Sequence, residues 1–490
     1  MIRSAFIVFL VIISVGLGST NCATRPQSIS PIRDFEVPKE WTGKTILKDQ
    51  VNAEWWTTFG DPALTDVIGT AIAHNYDLQA ATARLDQAAA TARIAGADLY
   101  PAITIGLNGA KRRQNFIGLP IPGRQGGVLT SHFTSFGVSV DTTWEADLWG
   151  RLRSATRAAL AELQATVATL RAAHLSIVGQ TAKTWFAIAE AKQQAKLADQ
   201  TVKSFRHSTA QVRERYEQGL RPSLDLRLSL ANLASAEAAL EIRHQQLDAA
   251  TRQLEVLVGR YPGLNITTPT QLPDPPKAIP GGLPAELIGR RPDLIAAEHQ
   301  IAALNERLNI SRRELYPRLS LTASGGTATK GLKDLLNHNF SVWTLVSGLV
   351  QPLFQGGRLR ANIDHSASRV EEAIAGYAQT ALAAYAEVES ALAAESFLAN
   401  REAFLKTAVE QSRAAELLAE ERYRSGLEDF ITVLEAQRRA FTAESTMIQE
   451  RRLRLENRVD LHLALGGGFE TLETLLQAQL HEETTKHNTK

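Results

Sequence analysis

The sequence predicts a mainly helical, exported protein with a transmembrane β part, built as two tandem copies of one unit. Three observations predict it. The chain opens on an export signal, its motifs recur at fixed offsets, and each copy joins membrane-length strands to a proline-free stretch of nearly 70 residues. Composition agrees with this reading. Aromatic residues make up only 6% of the 490 residues, and alanine is abundant, which suits long thin helical layers better than a bulky mixed core. Charge is balanced, with 53 Lys+Arg against 52 Asp+Glu, so nothing points to nucleic acid as a partner. The only cysteine, Cys22, excludes an intrachain disulfide and any cysteine-based metal cluster.

Residues 1–21 read as the signal. Arg3 precedes an apolar stretch from Ala5 to Gly18, too short for a membrane helix, which needs ~20 apolar residues. Cys22 then stands at the expected cleavage point. That placement resembles a bacterial lipoprotein signal, although Ser19-Thr20-Asn21 replaces the usual Leu-Ala-Gly. The resemblance implies a covalent lipid on the Cys22 thiol; the alternative is a cleaved signal with an incidental cysteine. No later stretch qualifies as a transmembrane helix, so any membrane span must be made of strands.

The duplication is explicit. Asp77-Leu78-Gln79-Ala80-Ala81 recurs as Asp293-Leu294-Ile295-Ala296-Ala297, and Leu99-Tyr100-Pro101 as Leu315-Tyr316-Pro317, both at an offset of 216. Farther on, Gly150-Arg151-Leu152-Arg153 matches Gly357-Arg358-Leu359-Arg360. Glu214-Arg215-Tyr216 with Gly219-Leu220 matches Glu421-Arg422-Tyr423 with Gly426-Leu427, and Gly259 matches Gly466. These share an offset of 207. The change of offset places extra length in a loop between residues 101 and 150. The chain therefore divides into an N-terminal extended segment (22–61), a first repeat (62–261), a Pro-rich connector (262–283), a second repeat (284–468) and a polar tail (469–490). Residues 23–61 carry no periodicity apart from Trp55-Trp56.

Each repeat begins with a helical stretch, roughly 62–98 and 284–314. Both end before Tyr-Pro, because proline disfavours helix in the residue before it. Strand-like segments follow at 101–109 and 134–146, then at 317–325 and 340–352. Ile103, Ile105 and Leu107 alternate with small or polar residues, as do Phe136, Val138 and Val140. That period, over about ten residues, suits a tilted membrane strand. Loops 117–127 and 326–339 lie at the strand tips. Helices over about 150–217 and 357–424 would each be ~100 Å long at 1.5 Å per residue. Turns at Gly219 and Gly426 lead to return helices near 223–258 and 429–465. Leu226, Leu233, Leu240, Leu247 and Leu254 recur every seven residues, as do Leu427, Leu434, Phe441, Ile448 and Leu455, predicting coiled-coil packing.

Lipid leaves no backbone group unpaired, so membrane strands must close into a barrel, and the smallest usual barrels have eight strands. One chain offers four. Several copies must combine, and the long helices would extend the tube away from the membrane: a duct.

Trp55-Trp56, Phe59-Gly60-Asp61-Pro62, Asn75 with Asp77-Leu78, and Trp144-Glu145 with Asp147-Leu148-Trp149-Gly150 resemble the TolC-like outer-membrane factors. More narrowly they resemble the NodT-type lipoproteins of resistance-nodulation-division (RND) efflux systems. Arg290-Arg291-Pro292-Asp293, Pro352-Leu353-Phe354 with Gly357, and Tyr423 with Gly426 and Val433-Leu434 extend the match from about residue 40 to 466. The resemblance implies a homotrimer in the outer membrane of a Gram-negative bacterium, with a twelve-stranded β-barrel, a twelve-helix periplasmic α-barrel and an equatorial domain. It implies a passive exit duct gated at its periplasmic helical tips, docked to a periplasmic adaptor (membrane fusion) protein and an inner-membrane RND-type pump.

For the gate, the resemblance places Asp225 and Tyr423 on a linking pair and Ile431 and Glu435 on a pore-facing constriction. Three copies of Glu435 on a narrow axis would favour cations. The alternatives are a solvated helix residue for Glu435 and a helix N-cap for Asp225. A linking position that is often basic in the family is here Glu428, so part of the latch is either missing or built from Arg424. The tips Gly219-Leu220-Arg221 and Gly426-Leu427-Glu428 are the expected adaptor contacts. No motif suggests an enzyme or a cofactor. The histidines are scattered, His481-Glu482 with His487 has the wrong spacing for a zinc-protease helix, and Gly466-Gly467-Gly468 reads as a helix stop. The alternative functions are a duct for secreted protein or metal ions, or a coiled-coil envelope tether without a pore.

Overall fold

The computed structural model describes residue 41 and residues 54–116, 129–276 and 287–467. The export signal, Cys22, the loop tip 117–127, part of the connector and the C-terminal tail lie outside the described residues.

The chain runs through the predicted layout twice. In the first repeat, α1 (Pro62–His74) and α2 (Tyr76–Ala97) lead to β1 (Ala102–Phe116), β2 (Leu129–Ala146), α3 (Arg151–Glu217) and α4 (Ser223–Leu257). In the second, a helical turn at Leu287–Arg290 precedes α5 (Pro292–Arg313), β3 (Arg318–Thr329), β4 (Ser341–Val350), α6 (Arg358–Arg424) and α7 (Phe430–Ala464). The two long helices have 67 residues each and the two return helices 35 each.

The expected continuous helix 62–98 is interrupted at Asn75. Its backbone is extended, and its side chain accepts hydrogen bonds from the Asp77 and Leu78 amides at 2.9 and 3.1 Å. It caps α2 and also donates to the Leu257 carbonyl at the end of α4. Arg291 makes the matching break in the second repeat, with Pro292 opening α5. Gly259 and Gly466 then fulfil one requirement at both return-helix ends. Each has positive φ (70° and 86°), and a Cβ would lie 2.3 Å from the His74 carbonyl oxygen at Gly259 and 3.0 Å from Arg290 backbone at Gly466.

The strands form one antiparallel sheet in the order β1-β2-β3-β4. β1 and β2 are longer than the expected 101–109 and 134–146. Apolar alternation stops at Lys111-Arg112-Arg113, but ladder hydrogen bonds need no apolar side chain and continue to Phe116. β3 likewise runs past 325 to Thr329, and the remainder of the loop contains two short 3₁₀ turns. Register aligns Ile105, Val140, Gly325 and Trp343 across the four strands, and Thr104, Asp141, Ser324 and Thr344 in the neighbouring row. One face is therefore apolar and the other hydroxyl-rich. The apolar face is open: Ile105 is 79% exposed and Trp343 81%.

The central core lies where α1, α3, α4 and α7 meet, around Trp185, Phe186, Ile188, Leu254 and Leu455. Trp55–Phe59, in the segment expected to be extended, is a 3₁₀ turn. Trp55 stacks on His462 at 5.0 Å, and Phe59 packs on Phe186 at 5.1 Å. Asp61 caps α1 and accepts from the Trp185 indole at 2.8 Å, tying that turn to α3. The start of the connector is strapped down as well. Glu255 accepts from the Leu264 and Asn265 amides, Lys192 donates to the Thr268 carbonyl, and Arg451 pairs with Asp274. Among the described residues no helix is long and apolar enough to cross a membrane.

Candidate functional site at the helical tips

Two kinds of position stand out: the joints between strands and helices, and the tips where each long helix reverses. At the joints, motif residues hold chain direction. Asp147 accepts from the Leu152 and Arg153 amides at the start of α3, Glu145 forms a two-oxygen pair with Arg151, and the Trp149 indole donates to the Pro317 carbonyl of the other repeat at 2.8 Å. Trp149 also stacks on Tyr316 at 5.2 Å. Arg291 joins Asp293, Glu387 and the Ala464 carbonyl, binding α5, α6 and the end of α7.

At the tips, Gly219 and Gly426 adopt φ of 76° and 72°, and the Leu220 and Leu427 amides close back on the Arg215 and Arg422 carbonyls at 2.9 Å each. This is the helix stop in which a left-handed glycine lets the chain satisfy the last carbonyls. Leu220 and Leu427 project outward, 67% and 70% exposed. Arg221, grouped with them in the sequence, turns inward instead: its side chain is only 19% exposed. It follows Tyr423, which is buried at 3% in a small cluster with Val212, Ala419, Phe430 and Val433.

Asp225 lies in the first turn of α4, where a carboxylate suits the positive helix end. Pro222 occupies the N-cap position, so the N-cap alternative for Asp225 is not the arrangement found. The Tyr423 hydroxyl has no hydrogen-bond partner within the protomer. Ile431 and Glu435 are one helical turn apart on α7, and Ile431 is 65% exposed. Glu435 is not a bare carboxylate. Arg438 and Arg439 contact it at 2.6 and 2.8 Å, and hydrogen bonds from Arg439 first and Arg438 second hold it below the usual carboxylate range. Glu428 faces Arg422 at 3.6 Å and accepts from Thr432, while Arg424 pairs with Glu420 at 3.7 Å. Arg215 escaped sequence reasoning as a site residue. Its one signal was its place in the duplicated Arg-Tyr motif, which reads only as a repeat marker. Among the described residues no group of three or more His, Cys, Asp or Glu could hold a metal ion.

A family model described as outer membrane efflux protein matches residues 67–260 and 283–467, the two repeats in turn. The chain belongs to this family. The pyoverdine export outer membrane protein OpmQ of Pseudomonas putida is 32% identical, with 94% of this chain and 97% of that relative covered. The toluene efflux pump outer membrane protein TtgI, also of P. putida, is 31% identical over 84% and 86%. The solved structure of the outer-membrane channel OprN superimposes with a TM-score of 0.79 at 26% identity, covering 89% of this chain and 99% of OprN. The architecture is that of the homotrimeric α-barrel/β-barrel ducts, with two repeats per chain. The chain is thus the outer-membrane channel component of an efflux system, an exit duct that extends from the outer membrane of a Gram-negative bacterium into the periplasm. The tether alternative has no place for the sheet; the family is one of channels.

Proposed function

We propose that three copies close a twelve-stranded barrel over a twelve-helix periplasmic tube, with the Gly219 and Gly426 tips as its inner mouth. One observation carries this reading: a four-stranded sheet with one apolar face has two unpaired edges, β1 and β4, and lipid tolerates neither. Joining each β4 to the next copy's β1 removes all edges. The long helices α3 and α6, 67 residues and ~100 Å each, continue the wall, with the 35-residue α4 and α7 returning alongside about half of that length.

The duct itself is passive. Two relatives of similar identity are named for different cargoes, pyoverdine and toluene. Cargo choice then rests with the inner-membrane pump, of RND type, and its periplasmic adaptor, which would dock on the exposed Leu220 and Leu427 with Gly219, Gly426 and Glu428 around them. The family resemblance puts Asp225 and Tyr423 at the closure of this mouth and Ile431 and Glu435 at its constriction. NodT-type lipidation of Cys22 would add a second anchor to the barrel.

The test is conductance in planar bilayers, with the detergent-corrected mass measured alongside. A threefold mass with small, discrete channels is expected. A stable monomer without channels would remove the barrel. Acyl-chain labelling should be abolished by Cys22→Ser while insertion persists, and labelling of that variant would place the lipid elsewhere.

A further inference from the structure

The two tips are copies in sequence but not in their bonding. At an offset of 207, Arg215, Tyr216 and Arg221 correspond to Arg422, Tyr423 and Glu428. In the second repeat, Arg422 has a carboxylate of its own turn, Glu428, at 3.6 Å. In the first, the corresponding residues are two arginines, which cannot pair with each other. Both cross to the other hairpin.

Their target is Tyr423. The guanidinium carbons of Arg215 and Arg221 lie 4.7 and 5.0 Å from its ring centroid, within cation–π range. Arg215 also donates to the carbonyls of Tyr423 and Arg424 at 3.2 Å each, groups at the negative end of α6. Arg221 donates to the Glu428 carbonyl at 3.4 Å and faces Asp429 at 3.6 Å. Tyr216, the first-repeat counterpart of Tyr423, is 42% exposed and holds no such position. The Tyr423 hydroxyl is buried without a partner, so the ring face, not the oxygen, is what the clamp uses.

The geometry points to Arg215 and Arg221 as positioning residues that clamp the Tyr423 ring and the carbonyl end of α6, holding the two hairpins of each protomer together and the mouth narrow. This rests on the duct reading and assigns to two arginines the closure that the family resemblance places on Asp225 and Tyr423. Opening requires both guanidiniums to leave the second tip. Phe430 at 5.5 Å, Val212 and Val433 keep the ring in place, so removing the arginines frees the hairpins without emptying the cluster.

Single-channel conductance of the full-length protein tests this. Arg215→Ala with Arg221→Ala should raise conductance severalfold at unchanged mass in detergent. Arg221→Glu should do much the same alone, because it gives Arg215 the local carboxylate that Arg422 already has. Arg215→Lys, which retains charge but not the forked donors, should give an intermediate value. Tyr423→Phe should match wild type, whereas Tyr423→Leu should open the channel. If Tyr423→Phe opens it as far as Tyr423→Leu, a hydroxyl link carries closure and the clamp is wrong. Wild-type conductance in the double alanine variant, or channels closed in every variant, also overturns it. Failure of the duct reading would look different: a wild-type protein without threefold mass that stays silent with its arginines removed.

Discussion

The two long helices of this protein have the same length and the same place in their repeats, yet they are packed in opposite ways. α3 is buried from Leu152 to Val212 against its own chain, whereas α6 buries nothing between Glu395 and Glu416. Phe397 and Phe404 in that stretch are 66% and 76% exposed. Over twenty residues of helix, ~30 Å at 1.5 Å per residue, α6 is tied to α7 by ion pairs such as Arg401–Glu450 and Glu402–Arg454 while its other face stays open. A duplicated unit can hold one fold in common and still divide labour: the first repeat supplies most of the protomer's core, with α7 completing it, and the second supplies the open flank. The return helices diverge likewise. Glu255 and His462 are equivalent at the offset of 207, and both are buried. Glu255 is used by connector amides, whereas His462 stacks on Trp55 and its Nδ1 has no partner.

The largest expected effect separates the two long helices. Ile188→Asp puts a carboxylate at a fully buried site of α3 and should prevent folding of the protomer, a cost above about 4 kcal/mol. Phe404→Asp should leave protomer helicity intact by circular dichroism while the detergent mass falls to that of one chain. A stable trimer of the Phe404 variant would show that this flank is not between copies. Next, Gly259→Ala should destabilise more than Gly466→Ala, because its Cβ approaches a carbonyl oxygen at 2.3 Å rather than 3.0 Å. A left-handed non-glycine residue alone costs of order 1–3 kcal/mol, and the closer contact adds to it. Equal shifts in thermal unfolding would mean that only φ matters.

The return helices differ in their response to acid. Burial, with a smaller contribution from the nearby Arg458 charge, depresses His462 from the ordinary 6.5 to about 4. Its folded pKa is below the unfolded one, so the unfolded chain binds more protons between these values. Stability contributed by neutral His462 is complete above about pH 6.5 and is lost as pH falls toward 4, by roughly 3 kcal/mol in total at 1.36 kcal/mol per pKa unit. His462→Phe should flatten the stability–pH curve over that window, and an unchanged slope would assign it to other groups. The smallest effect is at the mouth. Glu435→Gln leaves Arg438 and Arg439 without their carboxylate, so the reversal potential should move toward anions. An unchanged reversal potential would put Glu435 outside the constriction.

Much of the framework was readable because it is local. A proline-free stretch of nearly 70 residues specifies 67 residues of helix, and Gly219, Gly426, Gly259 and Gly466 mark the ends of the long and return helices by a φ that glycine adopts easily. Alternation of Ile103, Ile105 and Leu107 marked the first strand but not its end, because pairing beyond Leu107 depends on the partner strand rather than on side-chain pattern. Trp55 is visible in the sequence as half of Trp55-Trp56 and part of the family motif, but its partner is not. Its burial against His462 joins positions more than 400 residues apart, and no local signal encodes that.

By itself, the sequence determined the duplication, the order of the helices and their reversals, and the family. Only the tertiary structure decided how two near-identical tips would be used. Arg215, Tyr216 and Arg221 differ from Arg422, Tyr423 and Glu428 by one reversal of charge at the last position. That reversal has meaning only because the hairpins lie side by side, where an arginine without a carboxylate of its own finds the neighbour's aromatic ring and helix end.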